Sequence, residues 1–273
     1  MNLKMSYYKT LGCGFAAVLM GGQALAMDMA PHRAVYEITF GSSRPESQIV
    51  GGIGKWVLEV KGASCTGYNV SYRFVSKLQA QGGGEITLDT RGKYFESGDG
   101  VAFDFSNSVY QNNQLRDAVK GIASRGDDAI NVRLSKPEPA TVEIEKEALF
   151  PVQHFDKLIE DAKAGKKLVN NVVYEGIEGA KTSLLTSSII LPEKPVEEGE
   201  GLVYEMLEKQ KLRRWPVSIS YFKPEKKDDG APEWQNSFLL YENGVARDFT
   251  FDYGDFALKG KMETLELLAK EDC

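Results

Sequence analysis

Apolar residues recur at every second position through most of this chain, and that rhythm commits it to sheet. Trp56, Leu58 and Val60 alternate with Val57, Glu59 and Lys61, and Tyr68, Val70, Tyr72 and Phe74 alternate with Asn69, Ser71 and Arg73. The pattern returns at Val101, Phe103 and Phe105, at Val217, Ile219 and Tyr221, and at Phe249, Phe251 and Tyr253. A period of two puts one set of side chains on each face, so these segments predict antiparallel strands with one face packed and one wet. Gly82-Gly83-Gly84, Gly98-Asp99-Gly100, Arg125 to Asp128 and Asn243-Gly244 punctuate them as turns, the last with the residue pair favoured in a type I′ hairpin. About twelve to fourteen strands result. So many must curl, close or stack to manage their edges, and the fold expected is mostly β, a large antiparallel sheet curled into an open barrel or β-spiral.

Two stretches break the rhythm. After Pro151, the residues Val152, Phe155, Leu158, Ile159 and Ala162 recur at helical spacing, with Asp156 and Glu160 early, Lys163 late and Gly165 as a stop. This predicts an amphipathic helix over about 152–164. Its apolar stripe needs a surface, and the concave side of the curved sheet supplies one. Leu202 to Leu212 fits a second, short helix, while 192–201 and 224–232 read as loops.

Residues 1–26 have the three parts of an export signal: Lys4 and Lys9, an apolar run from Leu11 to Met20, and Ala24-Leu25-Ala26 as a small-x-small cleavage site. Cleavage is expected after Ala26, leaving 27–273 as a single β-spiral domain. Leu11-Gly12-Cys13 falls short of a lipid-attachment site, because Thr10 stands where an aliphatic residue belongs and the apolar core follows the cysteine. The apolar run is about half the roughly 20 residues a spanning helix requires, and no second stretch reaches that length, so the product is not expected to be an integral membrane protein. Loss of the signal removes Cys13 and leaves Cys65 and Cys273. In an oxidising compartment that pair reads as one disulfide.

Charge narrows the partners. The whole chain carries −6, and removal of Lys4 and Lys9 leaves 31 basic and 39 acidic side chains, a charge of −8. Nucleic acid and anionic lipid headgroups are therefore poor partners for the molecule as a whole.

No residues assemble into a familiar catalytic motif. Cys65 with His154 is the sharpest nucleophile and base pairing, set against a Cys65 consumed in a disulfide. Asp248, Asp252 and Asp255 offer paired carboxylates for glycoside cleavage or for calcium, but alternation puts Asp248 and Asp252 together on a wet face. With only His32 and His154 and no CxxC, no zinc set of usual spacing forms, and no metal, cofactor or catalytic residue is assigned. Lys211 to Trp215 is the one local basic patch with an aromatic; it suits either a phosphate or stems laid over apolar surface.

Several strings are also distinctive: PHRAVYEITF, GKWVLEV followed by Cys65-Thr66-Gly67-Tyr68, LFPVQHFDKLIEDAKAG, RRWPVSISYF, and the terminal run from Leu240 to Cys273. Together, in order, they resemble the EipB family of periplasmic cell envelope integrity proteins of alphaproteobacteria. The resemblance implies a spiral, open barrel with a helical insertion, periplasmic export, a role in envelope integrity under stress, and a disulfide at Cys65 and Cys273. It carries no catalytic residues.

The expected function is a soluble, non-enzymatic periplasmic protein that maintains the envelope by binding a protein segment or an apolar, lipid-like envelope molecule on its curved sheet. The alternatives are an envelope-polymer hydrolase using His154 or the C-terminal aspartates, and a structural scaffold. Single alanine replacements of His154, Asp248, Asp252 and Asp255, each verified as folded, should leave envelope integrity near normal in a detergent-sensitivity assay. Loss at one position marks the hydrolase.

Overall fold

The computed structural model describes residues 29–177, 180–196, 201, 204–224 and 230–273. The export segment 1–26, with Cys13 and the cleavage site, lies outside the described residues, as do Leu202 and parts of both loops. The strands are β1 His32–Ser43, β2 Ile49–Ala63, β3 Gly67–Ala80, β4 Glu85–Glu96, β5 Ala102–Gln111, β6 Gln114–Arg125, β7 Ala129–Lys136 and β8 Ala140–Glu145. After helix α1, Pro151–Lys163, come β9 Leu168–Val173, β10 Leu184–Ile190, β11 Arg214–Phe222, β12 Trp234–Tyr241, β13 Ala246–Asp252 and β14 Phe256–Leu267. The helix starts one residue earlier than its apolar spacing implies. The second helix shrinks to a π-helical turn, Tyr204–Glu208.

All fourteen strands belong to one sheet, in the order β8-β7-β6-β5-β4-β3-β2-β1-β14-β13-β12-β11-β10-β9. Among the described residues only one pairing joins strands distant in sequence: β1 lies antiparallel to β14, from His32 opposite Leu267 to Ser43 opposite Phe256. The sheet is thus two meanders welded at the chain's two ends. Its edges, β8 and β9, lie in the middle of the chain, and α1 connects them.

Those edges are not left bare. Leu149 forms a parallel bridge with Val173, donating its N–H to the Val172 carbonyl at 2.8 Å and accepting the Tyr174 N–H at 2.8 Å. Ser183 Oγ donates to Glu145 Oε2 at 2.7 Å, and Lys181 Nζ lies 3.3 Å from Glu138. The crossing chain therefore covers part of an edge that would otherwise template another strand.

Curling is helped by small residues on the concave face. Gly92 faces inward between Tyr72 and Asn107, and a Cβ there would come within 2.2 Å of the Tyr72 ring. Tyr72 lies over Gly92 and reaches Asn107 Oδ1 at 3.3 Å. Gly260 is covered in the same way by Phe249 and Phe251. A glycine shielded by an aromatic from the neighbouring strand lets a sheet bend without exposing backbone.

One turn differs from its sequence reading. In a type I′ turn Asn243 would take a positive φ, but only Gly244 does, at 82°. Tyr241 N–H bonds to the Val245 carbonyl and Gly244 N–H to the Tyr241 carbonyl, so the loop holds three residues and ends on a left-handed glycine. The two-residue mirror turn is instead Asn112-Asn113, with φ of 51° and 63°.

Cys65 occupies the β2–β3 turn and is bonded to Cys273, their Cα atoms 5.9 Å apart. Beside the bond, Thr66 Oγ1 donates to Glu271 at 2.7 Å and Leu268 N–H to the Pro31 carbonyl at 2.8 Å. The bond ties the tail beyond β14 to the neighbouring β2–β3 turn, at the welded seam and away from the free edges β8 and β9. Its sequence separation of 208 corresponds to about 5 kcal/mol of unfolded-chain entropy. Reduction, or Cys65→Ser with Cys273→Ser, should lower the melting temperature by about 10 °C and leave far-ultraviolet circular dichroism unchanged. Equal melting of both forms would show that the bond does not stabilise the fold.

Candidate functional site: a lumen plugged at one end

The inward rows are sealed at one end of the sheet and half open at the other. At the end where β1 begins and β4 finishes, His32, Ala34, Val60, Tyr68, Val70, Glu96 and Phe103 are all buried. Toward the other end burial is mixed: Ile38, Ser76, Leu78, Tyr221 and Leu258 are buried, while their inward neighbours Phe74, Ile86, Leu88, Thr90, Asn107, Val109, Trp234, Asn236 and Phe251 keep part of their surface accessible.

Helix α1 makes the difference. Its Leu158 and Ile159 are completely enclosed in the core shared with Tyr36, Phe238 and Leu240. Each such burial stabilises by about 1.5–3 kcal/mol. Phe155 stacks on Phe238, ring centroids 5.6 Å apart, and Lys163 reaches Glu242 in the β12–β13 turn at 3.7 Å.

The start of the helix is held by a residue distant in sequence. Phe150 stands at the N-cap, where a side-chain oxygen would normally accept free amide protons, and it has none to offer. Glu96, at the end of β4, supplies both acceptors: Oε2 takes the Val152 N–H at 2.8 Å and Oε1 the Gln153 N–H at 3.0 Å. Gln153 Oε1 in turn accepts the Phe150 N–H at 3.1 Å and Arg125 Nη2 at 2.9 Å. The Arg125 guanidinium lies 4.9 Å over the Phe150 ring. Burial pushes the Glu96 carboxyl up to about 8, against the pull of the two amides, with Asp156 adding to the rise. Asp156 itself is raised by burial to about 7, with the Glu160 charge adding.

In the open half, an aromatic wall runs from Tyr36 through Trp56 and Phe74 to Phe249 and Phe251, with ring centroids 4.6–6.4 Å apart. Opposite β5, the segment after β9 turns inward, and Gly176 lies flat on the Phe105 ring, where a Cβ would approach within 2.5 Å. Its neighbour Glu175 raises the hydroxyl pKa of Tyr72 on β3, Tyr94 on β4 and Tyr221 on β11, in each case after burial, which takes Tyr72 to about 12. The charge of one carboxylate thus acts on phenols of both walls. The interior combines partly accessible apolar surface with a few polar groups.

The residues singled out from sequence do not converge there. Cys65 is in its disulfide, and a bonded sulfur is no nucleophile. His154 is enclosed within α1, and burial lowers its pKa to about 4. Asp248 is an exposed bulge residue with φ of 57°, paired with Arg247, and Asp252 Oδ1 accepts the Gly254 N–H at 2.8 Å. Among the described residues no group of three His, Cys, Asp and Glu side chains could hold a metal, and no helix is long and apolar enough to cross a membrane. In the basic patch, Arg213 lies 4.9 Å over the Trp215 ring, and Arg214 is fully buried against Glu208. Sequence reasoning missed Glu96, although alternation puts this charged residue on the core face, two positions after Tyr94.

The residues from 23 to 269 match the family model described as EipB-like. The chain belongs to the EipB-like family. It is 34% identical over 254 residues to the cell envelope integrity protein EipB of Brucella abortus, covering 93% of this chain and 89% of that protein. A crystal structure from Brucella abortus, described as a beta-barrel-like protein of domain of unknown function DUF1849, superposes with a TM-score of 0.84 at 33% identity. The match covers 89% of this chain and 100% of that one. This EipB-like chain therefore shares a known barrel-like architecture, consistent with its single open sheet.

Glu96 and Asp156 bind protons more tightly folded than unfolded, so the stability they contribute is full at low pH. It is lost as pH rises through about 7 to 8. His154 has the opposite sign, but its window closes by its unfolded value of 6.5. Stability should therefore fall from about pH 4.5 to about pH 8, by up to roughly 1.4 kcal/mol per pH unit for Glu96 throughout and for Asp156 up to about pH 7, with His154 offsetting part of the fall below 6.5. Glu96→Gln should flatten that fall in denaturant titrations. An unchanged slope in the variant would reject the assignment.

Proposed function

We propose that this chain is exported through residues 1–26, cleaved after Ala26, and maintains the cell envelope from the periplasm as a soluble, non-enzymatic binding protein. The envelope role is supported by family membership and by the Brucella abortus relative, a cell envelope integrity protein. The binding reading rests on one observation: inward rows that are enclosed at the α1 end and half exposed at the other. Phe74, Ile86, Leu88, Trp234 and Phe251 pack against the core yet keep part of their apolar surface accessible, as does Val109, and that surface is what an apolar ligand would cover. The ligand is an apolar envelope molecule or an apolar protein segment, with its polar end directed to Glu175 and the tyrosines around it. His154 is enclosed and the aspartates of β13 lie on the outer side, so binding, and not hydrolysis, is the reading that the geometry favours.

Two of the three tryptophans, Trp56 and Trp234, line the lumen, while Trp215 is 2% exposed. A brominated fatty acid should quench tryptophan fluorescence saturably, and solvent extracts of protein purified from the periplasm should contain a co-purifying apolar molecule. Leu88→Glu with Val109→Glu should weaken quenching at least tenfold with the fold retained. Absence of quenching together with empty extracts would leave the lumen as a packed core and defeat the proposal.

A further inference from the structure

The net negative charge of the chain argues against anionic partners for the molecule as a whole, but the sheet sorts its charge. On the outer face, the registers put Lys93, Ser106, Lys120 and Lys136 in one row across β4, β5, β6 and β7. Arg73 and Arg91 sit directly opposite each other in the next row. Asp89 bonds both arginines, at 2.8 Å and 2.6 Å, so one carboxylate answers two guanidiniums. Among the described residues, the ammonium groups of Lys93, Lys120 and Lys136 have no ion-pair partner.

A groove of about 400 Å³ is lined by Lys93, Lys120, Ser71, Ser106 and Phe95, together with two carboxylates, Asp104 and Glu59, the latter paired with Arg33 and Lys61. Strands lie about 4.8 Å apart, so the two lysines stand about 10 Å apart at their Cα atoms, with the Ser106 hydroxyl between them. That is the spacing of a clamp for one tetrahedral anion. Aliphatic side chains flank the charges on the same face: Ile122 beside Asp104 is 41% exposed, and Ile53 on β2 is 64% exposed. Lysines around exposed aliphatics match a bilayer surface, whose headgroups take the charge and whose acyl boundary takes the apolar tips. A free phosphate would use the first and not the second.

We propose that the outer face of β2–β7 docks on an anionic phospholipid bilayer, with a headgroup phosphate seated between Lys93 and Lys120. This surface is on the opposite side of the sheet from the lumen, and the inference stands independently of what the lumen holds. It would present a non-spanning protein to the membrane face that bounds its compartment.

The test is co-sedimentation of the mature, oxidised chain with vesicles of phosphatidylcholine alone or mixed with phosphatidylglycerol, at low and moderate salt. Binding to the anionic vesicles only, weakening with salt, is expected. Lys93→Glu with Lys120→Glu should lower the apparent affinity about tenfold or more, whereas the same charge change at Lys167 and Lys259 should have little effect. Equal melting temperatures of the variants exclude misfolding. The proposal is overturned by equal loss in both double variants, by no binding of the parent protein to anionic vesicles, or by inorganic phosphate binding without vesicle binding.

Discussion

The pairing of β1 with β14 is the contact on which the rest of this architecture depends. It joins strands more than two hundred residues apart in sequence, where every other pairing is a hairpin or a link between consecutive strands. Without it the chain would be two separate meanders, each with a concave apolar face and two bare edges. With it, both meanders bend around one interior, and the unavoidable break in the ring moves to the middle of the chain. Long-range closure costs chain entropy before any contact rewards it. The covalent tie from Cys65 to Cys273 stands at that same seam, which is where reducing the entropy of the unfolded chain helps closure most directly.

The break in the ring is also what makes an interior site. The chain leaving β8 enters the lumen as α1 before it resumes the sheet at β9, so one end is filled by protein and the other keeps accessible aromatic surface. Glu96 is central to this division, because a helix whose N-cap is phenylalanine needs acceptors from elsewhere. A buried carboxyl is costly when charged. Here it sits on two backbone amides at a helix N-terminus, where its hydrogen bonds offset part of the cost of burial.

Much of this was legible in the residues. Alternation such as Tyr68 to Phe74 specified strands and their inward faces, and the stripe Val152 to Ala162 specified the helix and its need for a concave surface. Features set by distant pairing were not legible. Alternation carries no record of which strands are neighbours, so the location of the edges at β8 and β9 stayed hidden. Asn243-Gly244 pointed to a turn but not to its type, because flanking hydrogen bonds decide whether two or three residues form the loop. Arg214 looked like a surface cation until the Tyr204–Glu208 turn folded over it and delivered Glu208. The charge of the whole chain likewise concealed the basic outer face, which exists only because registers align lysines from separate strands.

Native-state hydrogen exchange tests most directly the claim that the seam, and not the break, holds the ring together. Amides of β1 and β14, such as those of Tyr36 and Met262, should exchange only through global unfolding, while those of β8 and β9 exchange earlier, through local opening at the edges. Slowest exchange at β8 and β9, with β1 and β14 opening first, would contradict the account.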